Sequence, residues 1–240
     1  MTMGFRARLR SVVAATAVFQ RTIREQTIGL PFALLEQRLS EQLVNQFIED
    51  DAIWFPGIEE LQQYALSQVT IDGLFLEFGV WNGDSIRRIA KQVKGPVHGF
   101  DSFRGLPEKW TDGYEEGMFS RDGILPDVPG NVELHVGWFE DTLSVFVRSH
   151  SGPVAFVNID SDLYSSAATV LHELGDRIVP GTVILFDDYF NFPEWQFGEF
   201  RAWNEHVHRH KIRYRFFGLS GNNSTDRSFN QYGRVAIVVE

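Results

Sequence analysis

Two apolar runs, residues 153–159 and 180–186, each end in a pair of acids: Asp160 and Asp162 after the first, Asp187 and Asp188 after the second. Short runs apolar on both faces read as buried parallel strands. Neighbouring parallel strands place their carboxyl ends side by side, so Asp160, Asp187 and Asp188 converge, with Asp162 one turn away. Carboxylates that close repel one another and raise their own pKa values. A divalent cation relieves the repulsion, and oxygen donors without cysteine or clustered histidine point to Mg²⁺, Ca²⁺ or Mn²⁺ rather than zinc. Four solvated loop caps are the competing reading, which the concentration of acids at strand ends disfavours.

A second group of residues lies around Glu77-x-Gly79-x-x-x-Gly83. Leu74 to Phe78 forms a buried strand, Gly79 to Gly83 a turn, and Asp84 or Ser85 caps a helix with Ile86, Ile89, Ala90 and Val93 on one face. The free N–H groups of such a helix start favour a carboxylate or phosphate. The spacing is not the G-x-G-x-x-G of a dinucleotide fold, and the acid inside it suits a ligand bearing both an amine and a carboxylate. An ordinary turn with an incidental Glu is the alternative. Asp101 ends the next strand, 96–101, beside the glycine turn, where an acid accepts the hydroxyls of a ribose; turn chemistry alone also explains an Asp there. Trp138 and Phe139, after strand 132–136, either flank a purine ring or fill core.

The elements that must position these groups follow a βαβ rhythm. The class expected is α/β, with a helix between successive strands and two last strands, near 213–217 and 234–239, pairing antiparallel at the sheet edge. Residues 105–130 lack periodicity and carry Trp110, Tyr114 and Phe119, as a lid or binding loop would. With Phe192 and Trp195 they suggest an aromatic-lined entrance. Trp54-Phe55-Pro56-Gly57 marks a break before a helix over 58–68.

The chain's 240 residues accommodate one large domain, 56–240, preceded by a helical arm or lid, 1–55. In that arm Arg6, Arg8, Arg10, Arg21 and Arg24 flank the apolar run 12–19, which is too short for a membrane span and weakly hydrophobic for a secretory signal. An amphipathic arm, continued by Leu34, Leu35, Leu39 and Leu43 and packing on a partner subunit or over the site, is expected, and with it a homo-oligomer. A net charge of −10 excludes a general nucleic-acid binder. The absence of cysteine excludes disulfides and thiolate chemistry and is compatible with a cytoplasmic protein.

Five ordered blocks, LEFGVWNG (76–83), GFDSFRGLP (99–107), GWFEDTL (137–143), IDSDLYSS (159–166) and PGTVILFDDY (180–189), resemble the macrocin O-methyltransferase family, which includes the novobiocin-pathway sugar methyltransferase, within the class I S-adenosylmethionine-dependent enzymes. The resemblance implies a doubly wound, Rossmann-like, seven-stranded and mostly parallel sheet whose last strand is antiparallel. It implies that Glu77, Gly79, Trp81 and Ser85 hold the methionine part of S-adenosylmethionine, Asp101 with Ser102 the ribose, and Gly137, Trp138 and Phe139 the adenine, with Asp160 at the same site. It further implies Mg²⁺ on Asp160, Asp187 and Asp188, with Asp162 as general base. The expected activity is methyl transfer to a hydroxyl of a sugar or other small hydroxylated metabolite, such as a glycosylated natural product. A metal-dependent hydrolase or phosphotransferase using the same acids, or a non-catalytic cofactor-binding protein, are the alternatives.

Overall fold

The computed structural model describes residues 32–221 and 233–240. The five N-terminal arginines, the run 12–19 and most of the loop between the last two strands lie outside them.

Runs rich in Val, Ile and Phe supply eight strands: β1 (Ile53–Phe55), β2 (Leu74–Phe78), β3 (Val97–Asp101), β4 (Val132–Val136), β5 (Val154–Ile159), β6 (Val183–Phe190), β7 (Tyr214–Ser220) and β8 (Gly233–Val239). They form one sheet in the order β1-β7-β8-β6-β5-β2-β3-β4. Every neighbouring pair is parallel except those made by β8, which is antiparallel to both β6 and β7. Six α-helices are described: α1 (Phe32–Glu49), α2 (Ile58–Ser67), α3 (Asp84–Gln92), α4 (Phe139–Ser149), α5 (Tyr164–Leu174) and α6 (Glu199–His210).

The helices cover both faces, which is why the central strands are apolar apart from the few polar residues, such as Glu77 and Asn158, that reach the site. On one face Leu61, Ala65 and Leu66 of α2 and Ile86, Ile89 and Ala90 of α3 pack against Phe156, Val183 and Leu185. On the other, α1, α4, α5 and α6 contribute Phe47, Phe146, Leu171 and Trp203 to a core with Phe78, Phe100 and Phe186. From β2 the chain runs outward to β3 and β4, then returns to place β5 on the opposite side of β2. That reversal opens a crevice above the carboxyl ends of β2 and β5.

The doubly wound, mostly parallel α/β sheet read from the sequence is therefore present, with two corrections. It has eight strands rather than seven, because Ile53–Phe55, within the segment read as a break, adds a strand beside β7, pairing Ile53 with Gly218 and Phe55 with Ser220. Three residues, two of them exposed, carry no periodic signal. The β7–β8 pair is antiparallel as expected, but β8 inserts between β6 and β7 and leaves the edge to β1. In α1 the residues Leu39, Leu43 and Phe47 bury into the chain's own core. Among the described residues no helix is long and apolar enough to cross a membrane.

Candidate active site

The turn after β2 fixes the site. Gly79 has φ +90°, and a Cβ there would lie 1.7 Å from the Asp160 carbonyl oxygen, so only glycine lets the β2 turn pass the end of β5 so closely. The turn continues through Trp81, also left-handed at φ 46°, to Gly83, which precedes α3. A non-glycine residue is held there because Val80 N–H and Trp81 N–H both donate to Asp101 Oδ2, at 2.8 and 2.7 Å. Asp101 Oδ1 accepts from Phe103 N–H at 2.7 Å. The acid read as a ribose acceptor is thus also the clamp of the glycine turn, and Oδ1 keeps one lone-pair direction for a ligand. At the start of α3 the side chain of Asn82, not of Asp84 or Ser85, accepts a turn N–H, that of Asp84 at 3.1 Å.

Ser85 instead points inward. Its Oγ accepts from Gln62 Nε2 at 2.6 Å and from Asn158 Nδ2 at 3.3 Å. The same Asn158 amide donates to Glu77 Oε1 at 2.9 Å. Glu77 is fully buried, and its Oε2 has no hydrogen-bond partner, nor has Asn158 Oδ1. Burial pushes the Glu77 carboxyl up to about 7, against the pull of Ser85, Asn158 and Arg88. An orphaned buried carboxylate oxygen fits a cationic ligand group, since only a donor brought from outside satisfies it.

The second half of the site comes from β5 and β6. Ligand oxygens of Asp160, Asp187 and Asp188 lie within 4.8 Å of one another. Burial, and then the neighbouring acids, raise the Asp160 and Asp188 carboxyls well above the usual range. Asp162, left-handed at φ 61°, is raised to about 6, by burial first and by Asp187 and Asp101, with a hydrogen bond from Asp188 opposing. Glu199, at the start of α6, locks the two strand ends together by accepting from Asp188 N–H at 3.0 Å and Ser161 N–H at 3.4 Å. Asp187 is gripped by Arg234 of β8, with Nε to Oδ1 at 2.6 Å and Nη2 to Oδ2 at 3.1 Å. Three converging, mutually repelling carboxylates fit a hard divalent cation by donor type and spacing.

A cavity of about 740 Å³ joins both halves. Gly79, Trp81, Ser85, Asp101 and Ser102 line one end of the sequence-derived set, and Asp160, Asp162 and Asp187 the acidic part; Gly137, Trp138 and Phe139 complete the wall. Two of the expected residues stand behind it: Glu77 beneath Ser85 and Asn158, and Asp188 at 2% exposure. Phe139 both lines the cavity and packs edge-on to Phe78, with centroids 5.4 Å apart.

The segment 105–130 folds over this wall through Leu106 and Met118, joined by a 2.9 Å backbone hydrogen bond, and brings Phe119 within 6.3 Å of Trp81. Of the five aromatics expected at the entrance only Phe119 lines the cavity; Phe192 and Trp195 are buried in the core, where α6 and the segment before it cover the sheet. Sequence reading missed Gln62, Arg88, Asn158, Glu199 and Arg234. Asn158 did leave a signal, as the single amide in a strand buried at all six positions. Arg88 shares α3 with Ser85, whereas Gln62, Glu199 and Arg234 sit on other elements that only folding brings to the site.

Residues 76–189 match the family described as a methyltransferase domain. The chain is 30% identical over 165 residues to the 8-demethyl-8-(2,3-dimethoxy-alpha-L-rhamnosyl)-tetracenomycin-C 4'-O-methyltransferase of Streptomyces olivaceus, covering 55% of this chain and 61% of that protein. It is 28% identical over 147 residues to the demethyldecarbamoylnovobiocin O-methyltransferase of Streptomyces niveus, covering 51% and 55%. The matched stretch thus spans less than two thirds of either relative's length. The crystal structure of CalS11, a calicheamicin methyltransferase, superposes with a TM-score of 0.55 at 19% identity, over 93% of this chain and 91% of that one, a likeness of fold. The resemblance to class I methyltransferases carried by the five sequence blocks is borne out over the matched residues.

Proposed function

We propose that the methyltransferase domain at residues 76–189 serves an S-adenosylmethionine-dependent O-methyltransferase, acting on a hydroxyl of a sugar or other small hydroxylated metabolite, including glycosylated natural products. The observation that carries this reading is that one cavity joins the Ser85–Asn158 pocket over Glu77 to the carboxylates of Asp160, Asp162 and Asp187.

S-adenosylmethionine supplies the sulfonium methyl group. Glu77, through its unpaired oxygen, and Asn158, through its own, are suited to the amino-acid end of that molecule. The free direction on Asp101 Oδ1, with Ser102 beside it, would take the ribose hydroxyls, and Gly137, Trp138 and Phe139 would take the adenine. Asp160, Asp187 and Asp188 would hold Mg²⁺, which would supply the charge that positions an acceptor hydroxyl and lowers its pKa. Asp162 accepts the hydroxyl proton as the oxygen takes up the methyl group in an in-line displacement. Phe119, Trp81 and Trp138 supply aromatic surface to the lining of the cavity.

The division into an arm, 1–55, and a catalytic domain, 56–240, belongs to the same proposal, as does assembly of copies through the arm. Val44 and Ile48 of α1, 50% and 69% exposed, support the latter. A cytoplasmic location, with which the absence of cysteine is compatible, belongs to the same proposal.

The test needs no acceptor. Calorimetric titration with S-adenosylhomocysteine, with and without Mg²⁺, is expected to show one saturable site that is lost in Asp101→Ala. An absence of binding in both conditions sinks the reading and returns the acids to metal-dependent hydrolytic chemistry.

A further inference from the structure

At the end of the sheet away from the cavity, on the face covered by α4, three histidines and a glutamate meet. His98 is 2% exposed on β3; its register partner on β4 is Glu133, and His135 follows on the same face of β4. His98 Nδ1 lies 3.2 Å from His135 Nε2 and 3.4 Å from Glu133 Oε2. His150, just past the end of α4, closes the group: one ligand atom each of His98, Glu133 and His150 lie within 4.8 Å of one another. The imidazole centroids of His98 and His150 are 4.9 Å apart.

We propose that His98, Glu133, His135 and His150 form a binding site for a divalent transition-metal ion of the zinc type, separate from the acidic cluster of the cavity. Metal–nitrogen bonds of about 2.0–2.1 Å in a tetrahedron place neighbouring donors about 3.3–3.4 Å apart. The separations from His98 Nδ1 to His135 Nε2 and to Glu133 Oε2 already have that length. His150, within 4.8 Å of His98 and Glu133, joins them from a helix end, where the chain has freedom to adjust.

The surroundings serve the same end. His150 Nδ1 faces the Phe146 carbonyl at 3.2 Å and Ser149 Oγ at 3.0 Å, which fixes Nδ1 as a donor and leaves Nε2 its lone pair. The Arg177 guanidinium donates to the His150 carbonyl and holds the backbone in place. Phe100 stacks on His135 and Phe146 on His150, at 4.5 and 4.1 Å, orienting both rings. Three imidazole nitrogens and one carboxylate suit Zn²⁺, Co²⁺ or Ni²⁺ better than Mg²⁺. The ion would tie the end of α4 to β3 and β4, a structural role.

Metal-stripped full-length protein titrated with Co²⁺ is expected to develop visible d–d absorption at one equivalent, displaced by Zn²⁺. Glu133→Gln and His150→Ala, both at the rim and checked for fold by circular dichroism, should weaken Zn²⁺ binding by at least about tenfold. Zn²⁺ should raise the thermal midpoint of the wild type and not of these variants. Asp187→Asn should leave the Co²⁺ spectrum intact. A wild type without the spectrum, variants that retain it, or its loss in Asp187→Asn would each overturn the site.

Discussion

Arg234 lays its guanidinium fork across both carboxylate oxygens of Asp187, at 2.6 and 3.1 Å, inside the group of acids suited to a cation. β8 delivers this arginine because it inserts beside β6, whose carboxyl end carries Asp187. In the absence of metal the fork offsets part of the repulsion among Asp160, Asp187, Asp188 and Glu199. Arg234→Gln is therefore expected to cost about 2 kcal/mol in chelator, and Mg²⁺ should restore much of it. Thermal unfolding of both proteins with chelator and with Mg²⁺ measures this. An equal loss in the two conditions would mean that the arginine serves packing alone.

Glu77 carries a stability cost that its function explains. Its folded pKa, about 7, lies above the ordinary 4.5, so the ligand-free fold is fully stable below 4.5 and loses stability as pH rises through 7. The loss approaches about 3 kcal/mol at pH 8. Glu77→Gln should be more heat-stable than the wild type at pH 8, with little advantage at pH 5, and should bind S-adenosylhomocysteine more weakly. Calorimetry and melting curves at the two pH values decide it.

Asp162 is left-handed at φ 61°, a conformation asparagine tolerates better than alanine. Asp162→Asn should keep the backbone and S-adenosylhomocysteine binding while lowering turnover about a hundredfold to ten-thousandfold. Methyl transfer to a glycosylated acceptor is the assay. Turnover near the wild-type value would remove Asp162 from the role of base.

His206, 4% exposed and packed between Trp203 and His210, has its pKa lowered to about 4 by burial, with His210, Arg209 and His172 adding to it. The unfolded chain, titrating near 6.5, takes up this proton first, so the fold loses about 3 kcal/mol as pH falls from 6.5 to 4. His206→Phe should flatten this part of the curve. Buried acids such as Glu77 act in the opposite sense, so the readout is the difference between variant and wild type in denaturant midpoints across that range. Parallel curves would refute the assignment.

The strand-end acids and the glycine turn were legible because chemistry and local structure coincide there: an apolar run, then an acid, then a turn. Glu77, Asp101, Asp160 and Asp187 could be placed at one sheet end from the order of elements alone, since parallel strands share a direction. Whether each faces the cavity depends on packing above it, and so Glu77 and Asp188 stand behind the wall while Asp162 lines it. The short strand Ile53–Phe55 was illegible for another reason, as its pairing with β7 depends on a partner more than 150 residues away.

The sequence by itself determined the α/β class, the motif order and the carboxylate donors, because these follow from periodicity and residue type along the chain. Tertiary structure alone decided what neutralises and orients them: Arg234 from β8, Glu199 from α6, and Gln62 from α2, each presented by a different element. It also made a histidine cluster where the sequence shows none, because β3, β4 and α4 bring His98, His135 and His150 together from separate positions. Spacing in the chain governs what one element can present; only packing sets which elements meet.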